Sequence, residues 1–206
     1  TVRYDLVALT TRCPTRPPVS TWVTWGLLAG LVLSPVSVRA GQEVAAAGAP
    51  AKRASATRVA SGAITVDGRL TEEAWRLATP VTDFVQKEPT QGAPPTDAME
   101  VRFAYDERAF YVGARMHSTN ARGIQAPLGR RDIVDQAERL LIGLDTFFDR
   151  RTSVVLGVTA AGVRLDRFHG TDTEETFDAT YDLVWDTATT IDSDGWSAEI
   201  WIPFAQ

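Results

Sequence analysis

Two tryptophans near the end of the chain have surroundings that suit contact with a ligand. Ser197, Glu199 and Trp201 are two residues apart, so they share one face of the predicted strand. An indole ring and a carboxylate would therefore lie side by side. Such a ring can stack on the apolar face of a pyranose sugar while the carboxylate bonds its hydroxyls. Trp185 follows an acidic loop and is predicted to make a similar contact. In the alternative, both tryptophans cover a sheet or pack against another domain.

Two loop segments contain arginines that are further candidates for ligand contact. GRRD at residues 129–132 contains Arg131, and DRRT at residues 149–152 contains two further arginines. Guanidinium groups bond sugar hydroxyls and carboxylates, although exposed arginines are also common in turns that bind nothing. We therefore predict carbohydrate contact for Trp201, Trp185, Glu199 and Arg131.

Cofactor and catalytic motifs give little support for an enzyme. The acidic stretch TDTEETFDATYD at residues 171–182 offers oxygen ligands for a structural calcium, but its spacing is not that of an EF-hand. A solvated acidic loop is the alternative, and no other cofactor is predicted. The chain has no G-x-S-x-G elbow, no H-E-x-x-H motif and no carboxylate pair marked as a glycosidase acid and nucleophile. We predict a binding domain without catalytic activity.

The elements that would position these residues are strands, because the recurring period is two. Residues 99–117 alternate on both sides of a short connection at 106–108, which predicts an antiparallel hairpin. Residues 152–168 and 188–204 predict two more hairpins, and the apolar run at 139–145 predicts a strand at a sheet centre. Together they predict an all-β fold, an antiparallel β-sandwich of jelly-roll or immunoglobulin-like type with one short N-terminal helix. Because the sequence stops directly after an apolar strand, we expect this sandwich to be incomplete at its C-terminus.

That helix lies within VDGRLTEEAWRLATP, residues 66–80, and is predicted to belong to the scaffold. Asp67 and Gly68 supply a turn, and Thr71 is the expected N-cap of the helix. Trp75 would then pack on Leu70 as a hydrophobic staple, which fixes how the chain enters the helix. We predict a structural role for Trp75, with ligand contact as the alternative.

The first third of the chain differs from the rest. Residues 22–33 form an apolar run of signal-peptide length, which predicts a signal peptide over residues 1–40, with an uncleaved anchor as the alternative. Residues 41–57 are rich in Ala and Gly and predict a flexible leader, and residues 58–206 predict one domain. We expect an exported protein, periplasmic or associated with the outer membrane.

The charge of the chain limits the partners that we expect, and its cysteine content limits the disulfides. The chain has a net charge of −5, and nine acidic residues but no Lys or Arg follow Arg167. Such a surface repels phosphate backbones, so nucleic acid is not expected as a partner. The single cysteine, Cys13, lies in the predicted signal peptide, so the mature protein would have no disulfide.

Four segments occur in an order that resembles the family 9 carbohydrate-binding modules. They are ITVDGRLTEEAW, EVRFAYDERAFYVGARMH, LLIGLDTFFDRRTSVVLGVTAAGVRLD and DGWSAEIWIPFAQ. More closely, the chain is similar to the N-terminal domain of large bacterial exported proteins whose C-terminal part is a predicted outer-membrane barrel. The resemblance covers about residues 61–206. It implies a jelly-roll sandwich that binds oligo- or polysaccharide without catalysis, often beside glycoside hydrolase domains that degrade polysaccharide.

The chain departs from this family at its sugar clamp. In sugar-binding members two tryptophans clamp a terminal sugar; the position of the first corresponds here to Asp135, and the second would lie beyond Gln206. Trp75 matches a tryptophan that belongs to the family's fold. The resemblance therefore implies carbohydrate binding, or alternatively a periplasmic accessory domain of an outer-membrane barrel protein with a degenerate sugar site. The second reading predicts that the reading frame continues beyond Gln206.

Overall fold

A computed structural model describes residues 52–133, 136–173 and 176–205. The predicted signal peptide, the leader as far as residue 51, and Asp135 lie outside the described residues. The elements are, in chain order, β1 (Ala56–Arg58), α1 (Glu73–Leu77), β2 (Met99–Tyr105), β3 (Ala109–His117), a 3-10 turn (Ala121–Gly123), β4 (Arg139–Leu144), β5 (Ser153–Thr159), β6 (Arg164–His169), β7 (Asp186–Asp192) and β8 (Gly195–Pro203).

The strands form two sheets that pack face to face. One sheet has the order β1-β2-β3-β8-β7, and the other has the order β4-β5-β6. The three predicted hairpins are present as β2–β3, β5–β6 and β7–β8, and every strand pair is antiparallel except the parallel pair β1–β2. This architecture confirms the predicted antiparallel β-sandwich.

The core between the sheets follows the period-two pattern of the strands. Val112 and Ile200 of the larger sheet and Leu140, Ile142 and Leu156 of the smaller sheet are fully buried in one cluster. Their neighbours along each strand point the other way, to the outer faces. The outer face of the smaller sheet is therefore not part of this core.

The outer face of the larger sheet is covered by the segment before β2. Trp75 is buried there against Ile64 and Tyr111, and Leu70 packs on the same cluster. The structure therefore places Trp75 within the packed scaffold. The N-cap of α1 is Glu72, not Thr71 as predicted, and no side chain bonds the helix start. Bonds to the larger sheet, described below, hold the preceding turn instead.

Two further predictions change in the folded chain. β1 begins at Ala56, inside the predicted leader, because Ala56 and Thr57 pair with β2. β4 was predicted at a sheet centre but lies at the edge of the β4-β5-β6 sheet. Its continuous apolar pattern arises because Leu141, on the outer face, packs against Leu165 and Val163. No helix of the described residues has the length and apolar character that a membrane span requires.

Candidate functional site

An open groove of about 320 Å³ crosses the outer face of the β4-β5-β6 sheet. Its floor is made by side chains that point away from the core. Gly143 on β4 is paired with Val155 on β5, which is paired with Arg167 on β6. Ser153 and His169 form a second cross-strand pair in the same floor. Residues far apart in sequence are thus brought into one polar and partly apolar surface.

Two glycines of this sheet shape the groove in opposite ways. At Gly157 an added Cβ would lie 2.5 Å from Leu141 Cδ2 and 2.8 Å from Leu165 Cγ, so these side chains close over the backbone. At Gly143 the nearest atom to such a Cβ is Val155 Cγ2, at 3.9 Å. The groove therefore ends against the leucines and is open above Gly143.

One wall of the groove is the loop between β4 and β5, which two aspartates hold in shape. Asp145 accepts hydrogen bonds from the backbone N–H groups of Asp149 and Arg150 at 3.1 and 2.8 Å. Asp149 accepts from the N–H groups of Arg151 and Thr152, both at 2.8 Å. The bonds from Thr152 and Arg151 lower the pKa of Asp149. The loop thus presents Arg150, Arg151 and Thr152 to the groove.

The same loop exposes two adjacent aromatic rings. Phe147 and Phe148 are 70% and 60% exposed. Phe148 and Arg150 have φ angles of 56° and 57°, a left-handed conformation that L residues adopt only where the surroundings hold them. The aspartate bonds provide that constraint. Two exposed aromatic side chains therefore belong to the loop that forms this wall.

The other wall follows β6. Arg167 places its guanidinium carbon 4.2 Å from the centre of the exposed Phe177 ring, a cation–π contact. The His169 ring centre lies 5.6 Å from the same ring, and His169 Nδ1 is 3.3 Å from the carbonyl oxygen of Thr173. Thr173, together with Thr171, lines this side of the groove. The wall therefore combines a held guanidinium with hydroxyl groups.

The predicted partner of Trp201 is buried in the scaffold. Glu199 is 0% exposed, and its carboxylate accepts bonds from the Trp75 indole N–H at 2.7 Å and from the N–H groups of Asp67 and Gly68, both at 2.8 Å. Burial raises the pKa of Glu199, although these three bonds act to lower it. Beside it the Ser197 hydroxyl donates to the Gly68 carbonyl at 2.6 Å. This placement corrects the prediction that Glu199 bonds a sugar.

The turn at Gly68 covers the outer face of the larger sheet above Glu199. The Gly68 φ of 85° confirms the predicted Asp67-Gly68 turn, and an added Cβ would lie 2.7 Å from the backbone of Thr189. The turn therefore sits directly on the larger sheet, above the carboxylate of Glu199. The polar pattern that suggested a solvent-facing surface instead marks an internal contact.

The two candidate tryptophans lie in packed regions. Trp185 is 3% exposed within the main core, which corrects its predicted ligand contact. The Arg164 guanidinium lies over its ring at 5.8 Å. Trp201 is partly exposed on the larger sheet, opposite Tyr111, and packs on the cluster that contains Trp75. Its predicted sugar contact is not tested by this placement and stays a prediction.

Arg131 is bound to a buried carboxylate. Its Nε and Nη2 atoms donate to Asp166 at 2.6 to 2.8 Å, and the bonds to Asp166 raise the pKa of Arg131. Asp166 and Arg167 are consecutive on β6, so they point to opposite faces and Arg131 stands apart from the groove. Among the described residues, Asp132, Asp166 and Asp182 have carboxylate oxygens within 4.8 Å of one another. The Arg131 guanidinium forms ion pairs with two of them, Asp166 and Asp182.

None of the four predicted sugar-contacting residues lines the groove, as far as the structure describes the chain. The groove residues that sequence reasoning did not nominate include Gly143, Val155, Arg167 and His169. A signal was present: an arginine and a histidine occupy alternate positions of β6, on the face opposite the core. Only the pairing of β6 with β5 places them beside the loop arginines.

Comparisons with known proteins give a likeness among solved structures. No protein-family model and no curated protein matches the chain. A family 9 carbohydrate-binding module from Caldicellulosiruptor kristjanssonii, in complex with cellotriose, is 18% identical with a TM-score of 0.49, and the match covers 74% of this chain and 69% of that chain. The module in complex with glucose gives the same identity and TM-score, with 70% of that chain covered.

Proposed function

We propose that this domain is a non-catalytic carbohydrate-binding module whose ligand lies in the groove over β4, β5 and β6. The observation that carries this proposal is the groove itself, an open cleft whose lining combines apolar side chains with arginines and hydroxyl groups. A cleft of about 320 Å³ is of the size that holds one or two sugar rings. The order of sequence segments that resembles the family 9 modules supports the same function.

The groove offers each kind of contact that a sugar needs. Leu141 and Val155 supply apolar surface for the C–H faces of a ring, and Phe147 lies in the loop that forms one wall. Thr152 and Ser153 supply hydroxyls that both donate and accept hydrogen bonds. Asp145 turns both oxygens toward backbone N–H groups of its own loop, so this side chain holds the wall in shape.

The proposal is tested by a substitution that places a larger side chain in the floor of the groove. Gly143→Leu adds a side chain where the nearest atom to a Cβ is 3.9 Å away, so the fold should be retained while the groove is blocked. We expect binding of soluble oligosaccharides, measured by calorimetry across a glycan panel, to weaken by about tenfold or more. Circular dichroism and urea denaturation would establish that the variant folds.

Trp201→Phe is the matched control, because Trp201 is a partly exposed predicted contact that, like the other three, lies outside the groove. We expect this variant to bind as the unchanged protein does. If Trp201→Phe loses binding while Gly143→Leu keeps it, the ligand lies on the larger sheet and the groove assignment is wrong. If the unchanged protein binds no glycan at millimolar concentration, carbohydrate binding itself is wrong.

Export is a separate part of the proposal and is supported by the sequence of residues 1–40. In a bacterial host with two membranes, we expect the full chain to reach the periplasm and to begin at Gly41 after processing. Fractionation followed by mass spectrometry of the N-terminus measures this. A chain that stays in the cytoplasm with residues 1–40 intact would contradict it. The attachment to an outer-membrane barrel also stays a prediction.

A further inference from the structure

The side chain of His169 is held at two points of the groove wall. Its Nδ1 atom lies 3.3 Å from the carbonyl oxygen of Thr173. Its ring centre lies 5.6 Å from that of Phe177, and the two ring planes are tilted by 44°. These contacts involve the imidazole ring itself, so the ring is oriented before a ligand arrives.

The contact with Thr173 decides which ring nitrogen carries the hydrogen in the neutral form. A carbonyl oxygen can only accept a hydrogen bond, so Nδ1 of His169 is the donor. In the neutral ring Nε2 is then an acceptor without hydrogen. Nε2 lies at the end of the side chain away from the backbone, and it has no hydrogen-bond partner among the described residues. Because His169 lines the groove, this acceptor is open to a ligand.

A bound sugar needs such an acceptor. Each hydroxyl of a sugar carries a hydrogen, and a polar group that is left unpaired on binding lowers the affinity. The three guanidinium groups of the lining can only donate, and Asp145 already accepts from two backbone N–H groups of its own loop. Nε2 of His169 and the exposed carboxylate of Asp172 are the remaining side-chain groups of the lining that only accept.

We propose that His169 reads a hydroxyl of the bound glycan, accepting its hydrogen at Nε2 of the neutral ring, and that protonation of this ring weakens binding. This inference rests on the proposed function and adds a pH dependence to it. A proton on Nε2 turns the acceptor into a donor, so the hydroxyl hydrogen bound there loses its partner. Binding should be tighter at about pH 8 than at about pH 5, the range over which histidine ordinarily changes its charge.

The groups that face His169 come from three elements. Ser153, its cross-strand partner on β5, is uncharged. The charged side chains that share the groove with it are Asp145, Arg150 and Arg151 of the β4–β5 loop, Arg167 on β6 and Asp172 beyond β6. Carboxylates and guanidinium groups ordinarily keep their charge between about pH 5 and pH 8. A change of affinity in this window therefore indicates a histidine, and the chain has only His117 and His169.

Calorimetry with cellotriose, xylotriose, mannotriose and galactotriose at both pH values measures the effect. We expect the affinity for a trisaccharide that binds to fall by about threefold or more at pH 5. His169→Phe keeps a ring beside Phe177 and removes both nitrogens, so it should weaken binding at pH 8 by a similar factor and bind equally at both pH values. His169→Gln offers an amide oxygen that does not titrate, so it should lose the pH dependence and keep more of the affinity.

His117→Gln is the matched control, because His117 ends β3 in the other sheet and its side chain is 42% exposed. This variant should keep the pH dependence of the unchanged protein, and circular dichroism would establish that each variant folds. A pH dependence that persists in His169→Phe and disappears in His117→Gln would overturn the assignment to His169.

Nitrogen-15 NMR of the imidazole rings tests the tautomer without a ligand. At about pH 8 we expect the His169 signals to show hydrogen on Nδ1 and none on Nε2, and the spectrum of His117→Gln assigns them to His169. The opposite tautomer, or equal affinity at pH 5 and pH 8, would refute this inference while carbohydrate binding stands. If no glycan binds at millimolar concentration at either pH, this inference and the proposed function fail together.

Discussion

The buried carboxylate of Glu199 makes a quantitative prediction about what fastens the opening turn to the larger sheet. Glu199→Ala would remove the acceptor for the buried N–H groups of Trp75 and Gly68 and for the partly buried N–H of Asp67. A buried donor left unpaired costs about 1–3 kcal/mol, and water can enter part of the cavity that the substitution leaves. We therefore expect the free energy of unfolding to fall by about 3–5 kcal/mol, which lowers the Tm by about 10–15 °C.

Glu199→Gln should cost much less, about 1–2 kcal/mol, because one acceptor oxygen remains. The direction of the pKa shift agrees with this: burial raises the pKa of Glu199, so the fold accepts its neutral form. Because the folded pKa is raised, the stability contributed by its titration is complete below the unfolded pKa and is lost as pH rises through the folded pKa. In the Gln variant this part of the pH dependence should disappear.

Urea denaturation followed by tryptophan fluorescence measures these changes, since Trp75 is in direct contact with the substituted group. Glu107→Gln, on an exposed side chain, is the control and should change stability by less than about 0.5 kcal/mol. A loss below about 1 kcal/mol for Glu199→Ala would show that the three bonds do not hold the turn. A Gln variant as unstable as the Ala variant would refute the reasoning about the neutral form.

Two further predictions concern the same sheet. At Gly113, an added Cβ would lie 3.0 Å from the Trp75 ring, so Gly113→Ala should lower the free energy of unfolding by about 1–3 kcal/mol in urea denaturation. Gly143→Ala, which meets no such contact, should lower it by less than about 0.5 kcal/mol. Equal losses in the two variants would contradict this reasoning. The bonds from Arg115 lower the pKa of Asp192 from 3.8 to about 2, so its contribution is present above 3.8 and is lost as pH falls toward about 2. The Asp192 side chain is 46% exposed, so after allowance for solvent screening the loss should be about 1 kcal/mol, measured by thermal denaturation across this pH range. Asp192→Asn should flatten that profile, and an unchanged slope would count against the pair.

The hairpins were predictable from the sequence because their information is local. Alternation of apolar and polar residues over 99–117 specifies two strands, and a short polar connection specifies the turn between them. The Asp67-Gly68 turn was predictable for the same reason, since glycine accepts the positive φ found there. The packing of Trp75 also followed from the residues around it, although the N-cap moved to Glu72.

The candidate site was decided by tertiary structure. A period of two assigns side chains to two faces of a strand but does not say which face is covered. On β8 both faces are buried, one by the core and the other by the segment that carries Trp75, so Glu199 became an internal anchor. Trp185 likewise follows a polar loop in the sequence yet fills the core.

The sequence by itself determined the three hairpins and their turns, because each depends on neighbours within one hairpin. The repetition of short alternating strands indicated the sandwich. The groove depends on Gly143, Val155 and Arg167, which lie on three strands and meet only when β4, β5 and β6 pair in register. Its walls depend on two loops that aspartate bonds and an aromatic contact hold above that floor. Long-range pairing therefore brought side chains of three strands and two loops together in one groove.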